Sequence, residues 1–205
     1  MAADYANQKD LKNAQKYYLK AIKEDPEFVE AYDNLGRVYR VAGKLDKAAE
    51  YYKKSIAIYP DGIMAHQNLA VVYSLEQNYD GATKEYEEIV RIAPDDAEGY
   101  FGLANSYMMQ GKFDKAAENA QQAITIYDAT NSVHLPESYY LLGLIYHYSK
   151  DDEKAEEYLQ IAMDKGQKIA PELEQRYFSD RDDDLRLDTP EDYKKYESKV
   201  VKDYN

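Results

Sequence analysis

GKLDKAAEYYKKSIAIYP, Gly43 to Pro60, returns as GKFDKAAENAQQAITIYD, Gly111 to Asp128, with ten of eighteen positions identical at an offset of 68 residues. Half that offset is the unit. Blocks begun at Val29, Ile63 and Ala97 lie 34 residues apart and agree column by column, which is the signature of a stacked repeat. The fourth column reads Tyr32, His66 and Tyr100, the seventh Leu35, Leu69 and Leu103, the eighth Gly36, Ala70 and Ala104, and the eleventh Tyr39, Tyr73 and Tyr107. Farther along come Ala48, Ala82 and Ala116, then Tyr52, Tyr86 and Ala120, and the first two blocks close on Pro60 and Pro94.

The columns extend in both directions. Tyr5, Ala14, Tyr18, Ala21 and Pro26 fit a partial block, 1–28, that starts inside a helix. Tyr139, Leu142, Gly143, Tyr146, Ala155, Leu159 and Ala162 fit a fifth, 136–169, after five extra residues. Within each block both halves carry apolar residues at helical spacing, as in Tyr32, Leu35, Gly36 and Tyr39 and again in Leu45, Ala48, Ala49, Tyr52 and Ile56, so each block reads as two antiparallel helices. A glycine or alanine in the eighth column lets the partner helix approach, and a large tyrosine beside it fills the remaining space. Gly43 and Gly111 supply the left-handed residue between the helices, Asp46 and Asp114 favour the next helix start, and Pro60 and Pro94 stop the second helix. One pair cannot bury both its faces, so neighbours must stack.

These columns resemble the tetratricopeptide repeat over about residues 1–168. The resemblance implies an all-α fold, a right-handed superhelical solenoid of antiparallel helix pairs, built from the partial repeat 1–28 and repeats 29–62, 63–96, 97–130 and 136–169. Residues 170–205 are expected to add a capping helix in PELEQRYFSD, Pro171 to Asp180, and an acidic closing segment with Tyr193, Tyr196 and Val200 on one stripe. Two departures predict altered local packing: Ile89 stands where other blocks have Ala21, Ser55, Ala123 and Ala162, and Asp128 and Gln167 replace the closing proline.

Composition narrows the function. Among 205 residues, 39 are acidic and 26 basic, and the net charge of -13 with no basic stripe argues against nucleic acid as a partner. No run approaches the ~18 apolar residues that span a bilayer, and the first residues lack the regions of a secretory signal. The expectation is a soluble chain, cytoplasmic in preference, with a periplasmic or secreted location open if an upstream signal was removed. Cysteine is absent, which excludes disulfides and thiolate metal sites.

Catalysis finds no footing. His66 sits in a packing column, His134 in the inserted connection and His147 on a helix, and none has a ligand or dyad partner at the required spacing. Glycine-rich phosphate loops and GxSxG turns are missing. Asp180, Asp182, Asp184, Asp188 and Glu191 fall at ligand positions of an EF-hand loop, but Leu185 occupies the obligatory glycine place and Pro190 precedes the last ligand. No enzyme, metal site or cofactor is therefore expected, and a calcium-responsive module is the least favoured reading.

In the family that the columns resemble, the first helix of each pair lines a concave groove, through the second, fifth, sixth, ninth, twelfth and thirteenth columns. That implies a peptide-binding groove formed by Asn34, Arg37, Arg40, Asn68, Phe101, Asn105, Met108, Tyr140, Leu141, Leu144 and Tyr148. Asparagines can hold a peptide backbone, and the methionines and aromatics can receive apolar side chains. Arg37 and Arg40, one turn apart, can pair an acidic ligand group or instead Asp33 or Glu30 on their own helix. The carboxylate clamp of co-chaperone members is absent, because its lysine and arginine columns carry Asp33, Met64, Glu98 and Gly102. The expected function is a non-catalytic scaffold for protein interaction, binding a peptide or protein segment. The alternative is self-assembly through the open N-terminal end of the stack.

Overall fold

The computed structural model describes residues 10–179, and the acidic segment from Asp180 onward, with its EF-hand-like spacing and its tyrosine stripe, lies outside them. Contacts divide the chain into two units, Met1–Gln167 and Lys168–Asn205. The first unit is entirely helical in its described elements: α1 Leu11–Glu24, α2 Val29–Val41, α3 Leu45–Ile58, α4 Ile63–Leu75, α5 Tyr79–Ile92, α6 Ala97–Met109, α7 Phe113–Ala129, α8 Leu135–Ser149 and α9 Asp152–Asp164. The second contains α10, Pro171–Phe178. Each helix of the first unit packs mainly on the helices before and after it in sequence, which is the nearest-neighbour pattern of a solenoid.

One turn joins the two helices of each of the four complete blocks. The N–H of Lys44, Asn78, Lys112 and Asp151 donates to the carbonyl of Tyr39, Tyr73, Tyr107 and Tyr146, at 2.9, 2.8, 2.9 and 3.0 Å. The residue before each donor is left-handed, so the first helix ends in a Schellman-type cap. Gly43 and Gly111 take that position as expected, with φ of 72° in both. Gln77 and Lys150 take it in the other two blocks, with φ of 58° and 67°, because the cap hydrogen bond holds the turn even where a side chain makes the conformation costly. The second helices that follow Asn78 and Asp151 are capped by those side chains, which accept from the Gly81 and Lys154 N–H groups.

The departures from the repeat have packing consequences. Ile89 is buried at 2% exposure, and a Cβ on Gly99 would lie 3.0 Å from its Cγ2. The larger side chain is matched by a glycine in the column that holds Ala31 and Ala65 elsewhere. Where Asp128 replaces the closing proline, α7 runs for 17 residues against 14 in α3 and α5. It thereby carries Tyr127 into the core at 5% exposure, where its hydroxyl donates to Glu98.

Small and large residues interlock as the columns imply, and the way they do so changes along the stack. Tyr52 is fully buried and lies so close to Gly36 that a Cβ there would meet its ring at 2.6 Å. In the next block Ala70 takes the column of Gly36, and Tyr86 packs instead on Gly102 of the following block, where a Cβ would meet its ring at 2.2 Å. The last block returns to the first arrangement with Leu159 on Gly143. The abundant tyrosines also receive lysines: Lys47, Lys115 and Lys154 lie over Tyr39, Tyr107 and Tyr146 at 5.4, 5.3 and 4.9 Å. Where Gly81 takes that lysine's column, Lys53 of the preceding block covers Tyr73.

His66 replaces tyrosine in the fourth column and keeps its role. The Tyr32 hydroxyl donates to the Pro26 carbonyl at 3.0 Å, and His66 Nε2 makes the equivalent bond to Pro60 at 2.9 Å. A carbonyl only accepts, so Nε2 carries the proton, and Nδ1 faces the Glu85 carboxylate at 2.7 Å. Only the imidazolium donates to both. The Glu85 contact, with the Pro60 carbonyl assisting, raises the His66 pKa above its ordinary 6.5 against the opposing effect of burial. A raised folded-state pKa contributes stability that is fully present below the unfolded pKa and is lost as pH rises through the folded one. Thermal unfolding should therefore show wild type losing stability relative to His66→Tyr, which keeps the Pro60 bond without the titration, as pH rises from the ordinary histidine pKa of 6.5 upward. Parallel curves for the two proteins would remove the imidazolium from the account.

Candidate functional site

The second, fifth, sixth, ninth, twelfth and thirteenth columns belong to α2, α4, α6 and α8. Along this face α2 touches α4 and α6 touches α8, whereas α4 and α6 meet less closely. The core divides at the same place. One buried cluster centres on Leu35, Tyr39, Tyr52 and Leu69, and another on Leu103, Tyr107, Leu142 and Ile145. Between α4 and α6 opens a cavity of about 430 Å³.

Its walls are Gln67, Val71 and Ser74 of α4 and Phe101, Asn105 and Met109 of α6, with Gly102 and Ser106 behind them. Tyr79 and Tyr86 of α5 form further lining, and Glu98 stands at the edge. The geometry explains the glycine: any side chain at position 102 would occupy the space of the Tyr86 ring. Burial pushes the Tyr86 phenol up, with Glu98 adding to the shift, so Tyr86 is a neutral hydrogen-bonding group throughout the physiological range. Gln110 at the end of α6 donates to the Tyr79 carbonyl at 3.2 Å and to Thr83 Oγ1 at 2.7 Å, which ties α6 to α5 beside the cavity.

Of the residues expected to line a groove, Phe101 and Asn105 lie in this cavity. Leu141 does not face a ligand: it is 3% exposed and packs in the second core cluster, because the sixth column turns inward where α8 packs on its neighbours. Met108 is half-buried against the same cluster, Tyr140 and Leu144 are half-buried, and Tyr148 is open to solvent with His147 against its ring. The asparagines are partly committed. Asn34, Asn68 and Asn105 each donate to the carbonyl four residues back, on Glu30, Met64 and Phe101, at 2.7, 2.9 and 3.1 Å. Each keeps one amide proton for a ligand, and Asn68 and Asn105 keep their carbonyl oxygens as well, while that of Asn34 accepts from Arg37 at 3.1 Å. Sequence reasoning missed Tyr79 and Tyr86, which come from the second helix. The signal was Gly102 in a column that otherwise holds Asn34, Asn68 and Leu141.

Arg37 and Arg40 are half-buried on the same face, one block before the cavity. Val71 and Ser74 occupy their columns in α4 and line the cavity. Among the described residues neither arginine has a carboxylate within ion-pair distance, so the expected alternative of a pair with Asp33 or Glu30 is not formed. Beneath them Asp33 lies beside Ser55, and the Tyr52 hydroxyl beside Arg40, although Asp33 Oδ1, Arg40 Nε and the two hydroxyls are buried short of a well-formed hydrogen bond. Burial raises the Asp33 pKa, with Ser55 opposing. Among the described residues no helix is long and apolar enough to cross a membrane, and no cluster of histidine and carboxylate side chains could hold a metal ion.

No curated protein matches the chain. Among solved structures, MamA superposes with a TM-score of 0.72 at 24% identity, covering 80% of this chain and 94% of that one. BtubC from P. vanneervenii gives 0.70 at 21% identity, over 83% and 80% of the two chains. YrrB, described as a TPR protein with an unusual peptide-binding site, gives 0.68 at 22% identity, over 80% and 82%. These likenesses are of fold. Two family models, each described as tetratricopeptide repeat, match residues 1–63 and, in overlapping segments, 62–129 and 95–165, and the chain therefore belongs to the tetratricopeptide-repeat family.

Proposed function

We propose that this protein is a non-catalytic scaffold that takes an extended peptide segment of a partner protein across the face of α2, α4, α6 and α8, with the cavity between α4 and α6 as the anchor pocket. The observation that carries the reading is the cavity itself. It combines apolar walls, Val71, Phe101 and Met109, with a few polar groups, Gln67, Ser74, Asn105 and the Tyr86 hydroxyl, which is the make-up of a site that takes a ligand's apolar group and fixes its orientation. The exposed apolar side chains Val41, Met64, Leu75 and Met109 extend the same surface. Binding rather than catalysis fits the lining, since Glu98 is its one carboxylate and is already hydrogen-bonded by Tyr127. YrrB offers a precedent for peptide binding on this fold.

Selection of a random displayed peptide library on the immobilised chain tests this. Peptides with a bulky apolar residue should be enriched. Their affinity should fall at least about tenfold, about 1.4 kcal/mol, in a Phe101→Ala, Met109→Ala double variant that retains its helical circular dichroism. No enrichment, or equal affinity for both proteins, would contradict the assignment of the pocket.

A further inference from the structure

We infer that the segment bound in this groove carries an acidic side chain, read by Arg37 and Arg40, about four or five residues from the apolar side chain that fills the pocket. The inference rests on the groove reading above and names the second half of its recognition.

The first observation is how this acidic chain treats its cations. Carboxylate side chains outnumber basic ones 39 to 26, and some surface cations are paired with them. Arg91 bridges Glu88 and Asp61, Lys54 pairs with Glu50, and Lys154 pairs with Asp151. Arg37 and Arg40 lack such a pair although they are half-buried, where an uncompensated charge costs more than on the open surface. Asp33, four residues before Arg37, lies on the same helix but is not within ion-pair distance of either arginine, and its Oδ1 is buried without a well-formed hydrogen bond.

The second observation is placement. Arg37 and Arg40 are three residues apart on α2, hence side by side on one helix face. They stand in the columns that Val71 and Ser74 occupy where α4 lines the cavity. The arginines and the pocket are therefore successive stations on one face. Packed helices lie about 8–10 Å apart, so the pocket between α4 and α6 is roughly 12–15 Å from α2, a distance an extended chain at about 3.3 Å per residue covers in about four or five residues. A guanidinium pairs a carboxylate through two parallel hydrogen bonds. A ligand carboxylate would thus compensate the arginines as no carboxylate of the described chain does.

The preference is opposite to what net charge dictates, which makes it testable. A chain of charge -13 attracts basic peptides non-specifically. The same library selection, sequenced in depth on wild type and on Arg37→Glu, reads the outcome. On wild type, aspartate or glutamate should be enriched at least about threefold at four or five residues from the apolar anchor. On Arg37→Glu, lysine or arginine should replace them at that distance, with the anchor retained. If the charge-reversed chain loses its helical circular dichroism, Arg37→Gln is the substitute, and the acidic enrichment should disappear on it. An apolar anchor without acidic enrichment on wild type, or the same acidic preference on the variant, would overturn this inference alone. A selection without any apolar anchor would overturn the groove reading with it.

Discussion

Replacing Tyr52 by alanine is expected to cost about 3–5 kcal/mol of stability, the usual range for deleting a buried aromatic ring. Tyr52 is fully buried, its ring fills the space left by Gly36, and the cluster of Ala14, Tyr18, Leu35 and Tyr39 surrounds it. The neighbours cannot collapse into the void, because helices on either side hold α2 and α3 apart. Tyr52→Phe separates the ring from the hydroxyl. That hydroxyl lies beside Arg40 without a well-formed hydrogen bond, so Phe should lie within about 1 kcal/mol of wild type. Thermal or denaturant unfolding of the three proteins checks both figures. A loss below about 1 kcal/mol for Tyr52→Ala would mean that the interlocked pair is not what holds this block together.

Gly102→Val should abolish binding in the pocket and reduce stability by about 1–3 kcal/mol, as overpacking does. The added side chain needs the volume of the Tyr86 ring, which already lies 2.2 Å from where a Cβ would be. The ring must move into the cavity, or α6 must shift away from α5 against the Gln110 to Thr83 bond. Either response removes the pocket that Phe101 and Met109 frame. A library-selected peptide should therefore bind Gly102→Val at least about tenfold more weakly than wild type in a calorimetric titration. Unchanged affinity in a variant that still folds would place the peptide elsewhere.

The repeat was legible because its columns are constrained by physics that every block shares. Leu35, Leu69 and Leu103 are all buried at 5% exposure or less, and the period alone places them. Gly43 and Gly111 announced their turns, but Gln77 and Lys150 occupy the same left-handed position without a compositional sign, since there the hydrogen bond rather than the residue type dictates the backbone. The site was less legible. Column rules treat all blocks as equal, whereas the cavity exists because two blocks differ: Ala70 displaces the tyrosine of its block, and Gly102 of the next receives it. Leu141 shows the same limit from the other side, being buried in a column that is half-exposed at Asn34 and Asn68.

The methionine methyl groups offer the most direct test of the groove. The chain has five methionines. Met109 lines the cavity, Met64 and Met108 flank it on the first helices, and Met163 lies on α9, a second helix. In a spectrum of the chain labelled at these methyls, titration with a library-selected peptide should shift Met109 most, with Met163 unmoved. A saturating peptide that moves Met163 and leaves Met109 in place would contradict the central claim that partners bind between α4 and α6.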